Sequence, residues 1–196
     1  MDRSHAFRRA FHIISPIFLV YYLLPENLGG GVTRTAVTLL FLGTAACIEI
    51  GRIALGVKLF GMRPYEGQRV SAYAQGTLGL AFGLLVIRDP RIVVPVFLGM
   101  AWVDPLAAYC RRQGLARTVP ALAYFVLFLG TMLIMRSFAF PNAFLFSLVA
   151  TAIAVVTEGP KIPQLDDDLL MQVVPETILY FLVAGFGTGF GFPALL

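Results

Sequence analysis

The sequence predicts an all-α protein: a polytopic bundle of about seven membrane-spanning helices, forming one integral membrane domain over residues 1–196. Three observations lead there. Hydrophobic residues make up 58% of the chain and charged residues 13%, with a mean hydropathy of +0.81, far from soluble globular usage. The apolar runs are continuous rather than alternating, which favours helices over the strands of a membrane barrel. Their lengths, roughly 15 to 22 residues, approach the ~20 that cross a hydrocarbon core about 30 Å thick.

The spans are expected near 11–24, 33–49, 72–87, 92–109, 119–135, 142–157 and 169–190. The first follows a basic stretch, as a signal peptide would. However, YYLLPENLGGG offers no small-residue cleavage site, so this segment is expected to stay in the membrane. NLGGG, 27–31, reads as a flexible turn. In the fourth span Pro105 removes a helical hydrogen bond and leaves the carbonyl of Ala101 without its donor, which predicts a broken helix beside Asp104. Gly114, after Arg111 and Arg112, is placed to cap that helix. The closing GFGTGFGF, 185–192, lacks the strand–turn–helix context of a dinucleotide site and reads as helix packing. Cys47 and Cys110 have no partner spacing for zinc or a disulfide.

Lys and Arg set the orientation, because short basic connections are retained in the cytoplasm. Arg3, Arg8, Arg9, Arg52, Lys58, Arg63, Arg69, Arg111, Arg112, Arg117 and Lys161 fall on one side, and only Arg34, Arg88, Arg91 and Arg136 on the other. The N-terminus is therefore expected inside and the C-terminus outside. Topology and anionic headgroups account for the net charge of +4, and nucleic acid is not an expected partner.

Acidic residues are free of that rule, yet nearly all fall on the basic side; Glu26 and Asp89 are the exceptions. Five places stand out, because ionisable groups at span ends are costly unless paired, hydrated or functional. Arg9 and His12 share a helix face. Glu49 and Arg52, also three apart, read first as a structural ion pair that neutralises two charges entering the membrane interface; an Arg held this way is also pre-oriented for phosphate, so one pair can do both. The polar loop RPYEGQRVSAYAQGT supplies Arg69, Gly76 and Thr77. WVDPLAAYCRRQG supplies Asp104 and Arg112. TEGPKIPQLDDDLL supplies Glu158, Asp166, Asp167 and Asp168; one aspartate suffices to cap a helix, and three in succession offer hard oxygen ligands for Mg²⁺. Glu176, eight residues further on, shares that face inside the membrane. Basic groups, carboxylates and lipid-exposed helices at one surface are what a reaction between a soluble nucleotide and a lipid needs.

These residues resemble the dolichol kinase, phytol kinase and CTP-dependent diacylglycerol kinase family, which is related to CDP-diglyceride synthases. The resemblance runs from Arg8 to about Leu170. It rests on basic-x-x-His (Arg9, His12), Glu-x-x-Arg (Glu49, Arg52), Gly-Thr (Gly76, Thr77), Asp-x-x-Ala with a basic-x-Gly turn (Asp104, Ala107, Arg112, Gly114), and Glu plus Asp-Asp (Glu158, Asp166, Asp167). Where many relatives carry Lys-Ser/Thr-x-Glu-Gly, this chain reads ARTVPA, keeping Thr118 but placing Pro120 and Ala121 at the acid and glycine. Asp168 stands where the family has an amide.

The resemblance implies a Mg²⁺-dependent lipid kinase that takes CTP, or ATP, as donor and a polyprenol-like or diacylglycerol-like alcohol as acceptor. It implies Asp166, Asp167 and Asp104 as metal ligands, and Asp104 or His12 as the base. Arg9, Arg52, Arg69, Arg112, Gly76, Thr77 and Thr118 are implied at the nucleotide, with Glu49, Glu158 and Asp168 in support. The active site would face the cytoplasm among membrane lipids, and a homo-oligomer is compatible with the sequence. A cytidylyltransferase making a CDP-activated lipid is the alternative enzyme. An ion or small-solute transporter is the alternative of another class.

Overall fold

The computed structural model describes residues 3–63, 66–67, 69–158, 162 and 164–186; Lys161 and the predicted end of the last span, 187–190, lie outside them. The described chain is all-α apart from one small hairpin. Helix α1, Arg3–Ile14, gives way to a 3₁₀ helix, Ser15–Leu23. Pro16 is the cause: it has no N–H for the carbonyl of His12, and the Ser15 hydroxyl donates to that carbonyl instead, at 2.8 Å. The first predicted span is thus half 3₁₀. At ~2 Å rise per residue this geometry covers depth faster than an α-helix.

The glycine turn at 27–31 is part of an ordered hairpin, β1 (Asn27–Gly29) against β2 (Val32–Thr33), with Gly29, Gly30 and Gly31 all at positive φ. Thr33 then caps α2, Arg34–Leu55, by accepting from the Ala36 N–H at 3.1 Å. After a polar loop, Ser71 caps α3, Ala72–Phe82, which runs into a π-helical turn, Gly83–Ile87.

Helix α4, Pro90–Arg112, is the most enclosed of the long helices, and it is continuous. Both Pro95 and Pro105 lie within it, so the break predicted at Asp104–Pro105 does not form. A single lost hydrogen bond is tolerable in a helix supported by neighbours on several sides. Beyond Arg112 the expected cap is present: Gly114 has φ +67° and the Leu115 N–H donates to the carbonyl of Cys110 at 2.9 Å. Helices α5 (Thr118–Ile134), α6 (Phe140–Glu158) and α7 (Asp167–Phe186) complete the bundle.

Among the described residues four helices are long and apolar enough to cross a membrane, α2, α4, α6 and α7, joined by the shorter apolar Ala72–Ile87 and Thr118–Ile134. The core lies among α3–α7, where Ile92, Val93, Val96, Phe128 and Phe146 are buried and the Tyr124 ring fills the notch at Gly99. Outward, Leu40, Ile50, Val156 and Phe181 are each more than two-thirds exposed. An apolar exterior of this kind suits lipid rather than water. Helix α2 is the extreme case, with 11% of its apolar window buried.

Candidate functional site: an acidic cluster at one end of the bundle

The C-terminal halves of α1 and α4, the C-terminal end of α2 and the N-terminal ends of α3 and α7 gather at one end of the bundle. Three of these helices deliver acids or their partners to one place. His12 comes from α1, Asp104 from α4, and Asp166, Asp167 and Asp168 from the start of α7. One ligand atom each from His12, Asp104 and Asp168 lie within 4.8 Å of one another, and so do single oxygens from Asp166, Asp167 and Asp168. Asp168 belongs to both groups, so the residue expected only in support is the hinge of the cluster. It is buried, and its Oδ2 is 3.5 Å from His12 Nε2 and 3.9 Å from Arg8 Nη2.

The local sequence explains the placement. Asp166 accepts from the Asp168 N–H at 3.3 Å, capping α7 as one aspartate of the run was expected to do. Its own N–H donates to Gln75 Oε1 at 2.7 Å, and Gln75 Nε2 donates to the carbonyl of Gln164 at 3.0 Å. Buried Gln75 therefore fastens the loop before α7 to the first turn of α3. Gly76 admits Asp168 alongside: a Cβ there would lie 3.9 Å from the Asp168 Cβ.

Basic groups ring the acids, though not all are those expected. Arg8, four residues before His12, donates to Glu66 Oε1 at 3.3 Å and approaches Asp168, whereas Arg9 is not one of its ion-pair partners. Arg63 Nη1 donates to Asp166 Oδ2 at 3.3 Å, and its backbone N–H donates to Glu66 Oε2 at 3.1 Å. Glu66, 1% exposed, thereby holds two cations against the cluster. The i,i+4 spacing of Arg8 and His12 was the available signal for Arg8. Arg63 and Gln75 belong to the polar segment RPYEGQRVSAYAQGT that the sequence singled out, but no spacing announces which of its residues meet the aspartates; the loop fold brings in Arg63 and Glu66, and α3 brings in Gln75.

Other expected residues lie elsewhere or are already engaged. The Arg52 guanidinium bonds Glu49 at 3.0 and 2.5 Å and the carbonyls of Glu66, Gly67 and Arg69 at 3.0, 3.4 and 2.6 Å. Glu49 also accepts from the Ser71 N–H and hydroxyl, at 2.6 and 3.0 Å. This pair is a clip between α2 and the 66–71 loop, and its donors are consumed within the protein rather than offered to phosphate. The Arg69 backbone is one of the groups it holds. Thr77 donates its hydroxyl to the carbonyl of Tyr73 at 2.8 Å and lines an apolar cavity. Arg112 and Thr118 are exposed at the α4–α5 turn, and Glu158 pairs with Arg111, joining α6 to α4 rather than to the aspartates.

Carboxylates outnumber cations here. Asp104, Asp166, Asp167, Asp168 and Glu66 face the guanidiniums of Arg8 and Arg63 and the imidazole of His12, which is a cation only when protonated. At ~5 Å and an effective dielectric near 20, each like-charge pair costs about 3 kcal/mol. Hard oxygens in excess suit a divalent cation such as Mg²⁺, whose other positions take water or phosphate oxygens. Away from the cluster, a half-open cavity of about 220 Å³ is lined by Phe18, Phe41, Leu80 and Leu84 and reaches Leu24 and Arg34 towards the opposite end of the bundle. Thr77, next to Gly76, lines it too. The cluster thus offers the kind of oxygens that a cation site needs. Comparison with family models, curated proteins and solved structures finds no match to the chain.

Proposed function

We propose that the chain crosses the membrane seven times, N-terminus in the cytoplasm and C-terminus outside, and transfers the γ-phosphoryl group of a nucleotide to a lipid hydroxyl at the cytoplasmic face. CTP is the donor favoured by the family resemblance, with ATP as the other choice. The acceptor is a polyprenol-like or diacylglycerol-like alcohol. The observation that carries this reading is the surplus of carboxylates on Asp104, Asp166, Asp167 and Asp168, ringed by Arg8 and Arg63.

In this reading the four aspartates hold Mg²⁺, which supplies charge neutralisation to the phosphates. Arg8 and Arg63 add guanidiniums at the same place, a use to which bidentate donors are suited. The lipid oxygen forms the new P–O bond, the bond to the nucleoside diphosphate breaks, and the hydroxyl proton passes to His12 or Asp104. Little base strength is demanded of either, because a loose phosphoryl-transfer transition state depends chiefly on positioning and electrostatics. Apolar helix faces open to the bilayer take the lipid tail.

The test incubates purified protein and Mg²⁺ with γ-labelled CTP or ATP and a panel of lipid alcohols. Label is expected on a lipid, and Asp166→Asn with Asp167→Asn should abolish it. No labelled lipid under any combination, or undiminished labelling by the double variant, overturns the proposal. Release of pyrophosphate with no γ-label on lipid reassigns the protein as a cytidylyltransferase.

A further inference from the structure

From Asp168 of the acidic cluster, one polar line enters the apolar interior. On α7, Asp168, Gln172 and Glu176 follow one another at four-residue intervals and so share a face. On α3 and its π-helical turn, Gly76, Gly79 and Gly83 lie opposite in matching order, so the two helices run parallel. A Cβ at Gly79 would come 2.8 Å from Gln172 Cδ, and one at Gly83 would come 2.8 Å from Glu176 Oε1. Gln172 and Glu176 thus each occupy a notch that only glycine leaves open, whereas Asp168 lies within ordinary contact distance of Gly76.

Glu176 is 0% exposed, and neither of its oxygens has a hydrogen-bond partner among the described residues. The same holds for Gln172 Oε1, Tyr22 Oη and Tyr124 Oη. Tyr22, from the 3₁₀ helix, and Tyr124, from α5, are within electrostatic reach of Glu176; Tyr22 in turn is within reach of Asp89 and Arg34 at the opposite end of the bundle. Val93 of α4 also packs at Gly83 and brings no charge. Five buried oxygens without partners are far from the usual condition of a folded interior. A bare carboxylate there, with no cation beside it, is more costly than a neutral acid.

We propose that Glu176 is a proton-binding site in the membrane interior, a neutral carboxyl whose proton exchanges with the acidic end of the bundle along the α3–α7 seam. Loading takes one proton from hydronium and leaves water; unloading reverses this, with no other bond changed. Gln172 is the station between, its Nε2 tied to the carbonyls of Asp168 at 2.7 Å and Gly76 at 3.3 Å. This role does not depend on phosphoryl transfer, and its test needs neither nucleotide nor lipid alcohol.

The experiment is infrared spectroscopy of the protein in lipid nanodiscs, followed on transfer to D₂O. A protonated-carboxyl C=O band should be present, absent in Glu176→Gln, retained in Asp89→Asn, and downshifted in D₂O. Gln172→Leu should slow that downshift by roughly tenfold or more, since a polar relay is replaced by an apolar one. A band unchanged in Glu176→Gln, or one that never shifts in D₂O, overturns the proposal; unchanged exchange in Gln172→Leu overturns the seam as its route. Should Glu176→Gln not fold, a hydrophobic carbodiimide applied to the wild-type protein gives the decision. An adduct on Glu176 whose yield falls as pH rises supports the site, and its absence refutes it.

Discussion

Replacing Arg52 by Leu separates a structural role from a phosphate-binding one. The side chain is 1% exposed and makes five hydrogen bonds, two to Glu49 and three to the carbonyls of Glu66, Gly67 and Arg69. Its loss strands the Glu49 carboxylate, left only with Ser71, and frees the loop that carries Arg63 and Glu66. Breaking one partner from a buried ion pair costs about 3–5 kcal/mol. The lower end applies here, because the freed carbonyls lie on a loop that can turn to water. Removing both charges in Arg52→Leu with Glu49→Leu should cost less than the sum of the single changes, with coupling of about 1–3 kcal/mol. The assay is unfolding of the micellar protein by denaturing detergent, with nucleotide affinity measured on the same samples. The reasoning fails if Arg52→Leu stays within about 0.5 kcal/mol of the parent, a size typical of uninvolved surface changes. It fails equally if stability holds while nucleotide affinity is lost.

The remaining expectations use the same material. Arg8→Ala should lower label transfer by about 10²-fold, the scale of removing one preorganised charge partner, while Arg9→Ala leaves it near the parent value; the reverse order would place Arg9 at the phosphates. Gly83→Val should destabilise by about 1–3 kcal/mol through overpacking against Glu176 Oε1 and Val93 Cγ1, both 2.8 Å from the new Cβ. Gly130→Ala, with open space around its Cβ, should be neutral or stabilising by up to ~1 kcal/mol in the same detergent titration. Glu158→Gln should cost less than about 1 kcal/mol, because its partner Arg111 is 50% exposed, and should leave label transfer intact. A large loss of transfer would return Glu158 to the metal site.

The elements that depend on local chemistry were legible in the chain. Apolar length located the helices, Gly114 announced its cap, and the aspartate run announced the start of α7. Where a competing local interaction intervened, reading failed. Pro16 converted the second half of the first span to 3₁₀, whereas Pro105 broke nothing because α4 is supported on several sides. The site was legible as a gathering of acids at one surface, since charges cannot lie deep in lipid unpaired. Which acids meet depends on helix packing. Asp168 became the shared vertex because Gly79 and Gly83 let α7 approach α3, and Arg8 displaced Arg9 because a rotation of about 100° per residue separates neighbours on a helix. Arg52 illustrates the limit most clearly: Glu-x-x-Arg reads first as a structural ion pair and also as a phosphate clamp, and only the carbonyls of Glu66, Gly67 and Arg69 decide between them.

The central claim is that the surplus carboxylates on Asp104, Asp166, Asp167 and Asp168 hold a divalent cation that engages nucleotide phosphates. Mn²⁺ in place of Mg²⁺ reports on it directly by electron paramagnetic resonance, without requiring turnover. The account predicts that the protein removes free Mn²⁺ from solution, that CTP or ATP tightens the binding, and that Asp168→Asn weakens it by tenfold or more, about 1.4 kcal/mol. Equal Mn²⁺ binding by the parent and Asp168→Asn, or no binding by either, would contradict it.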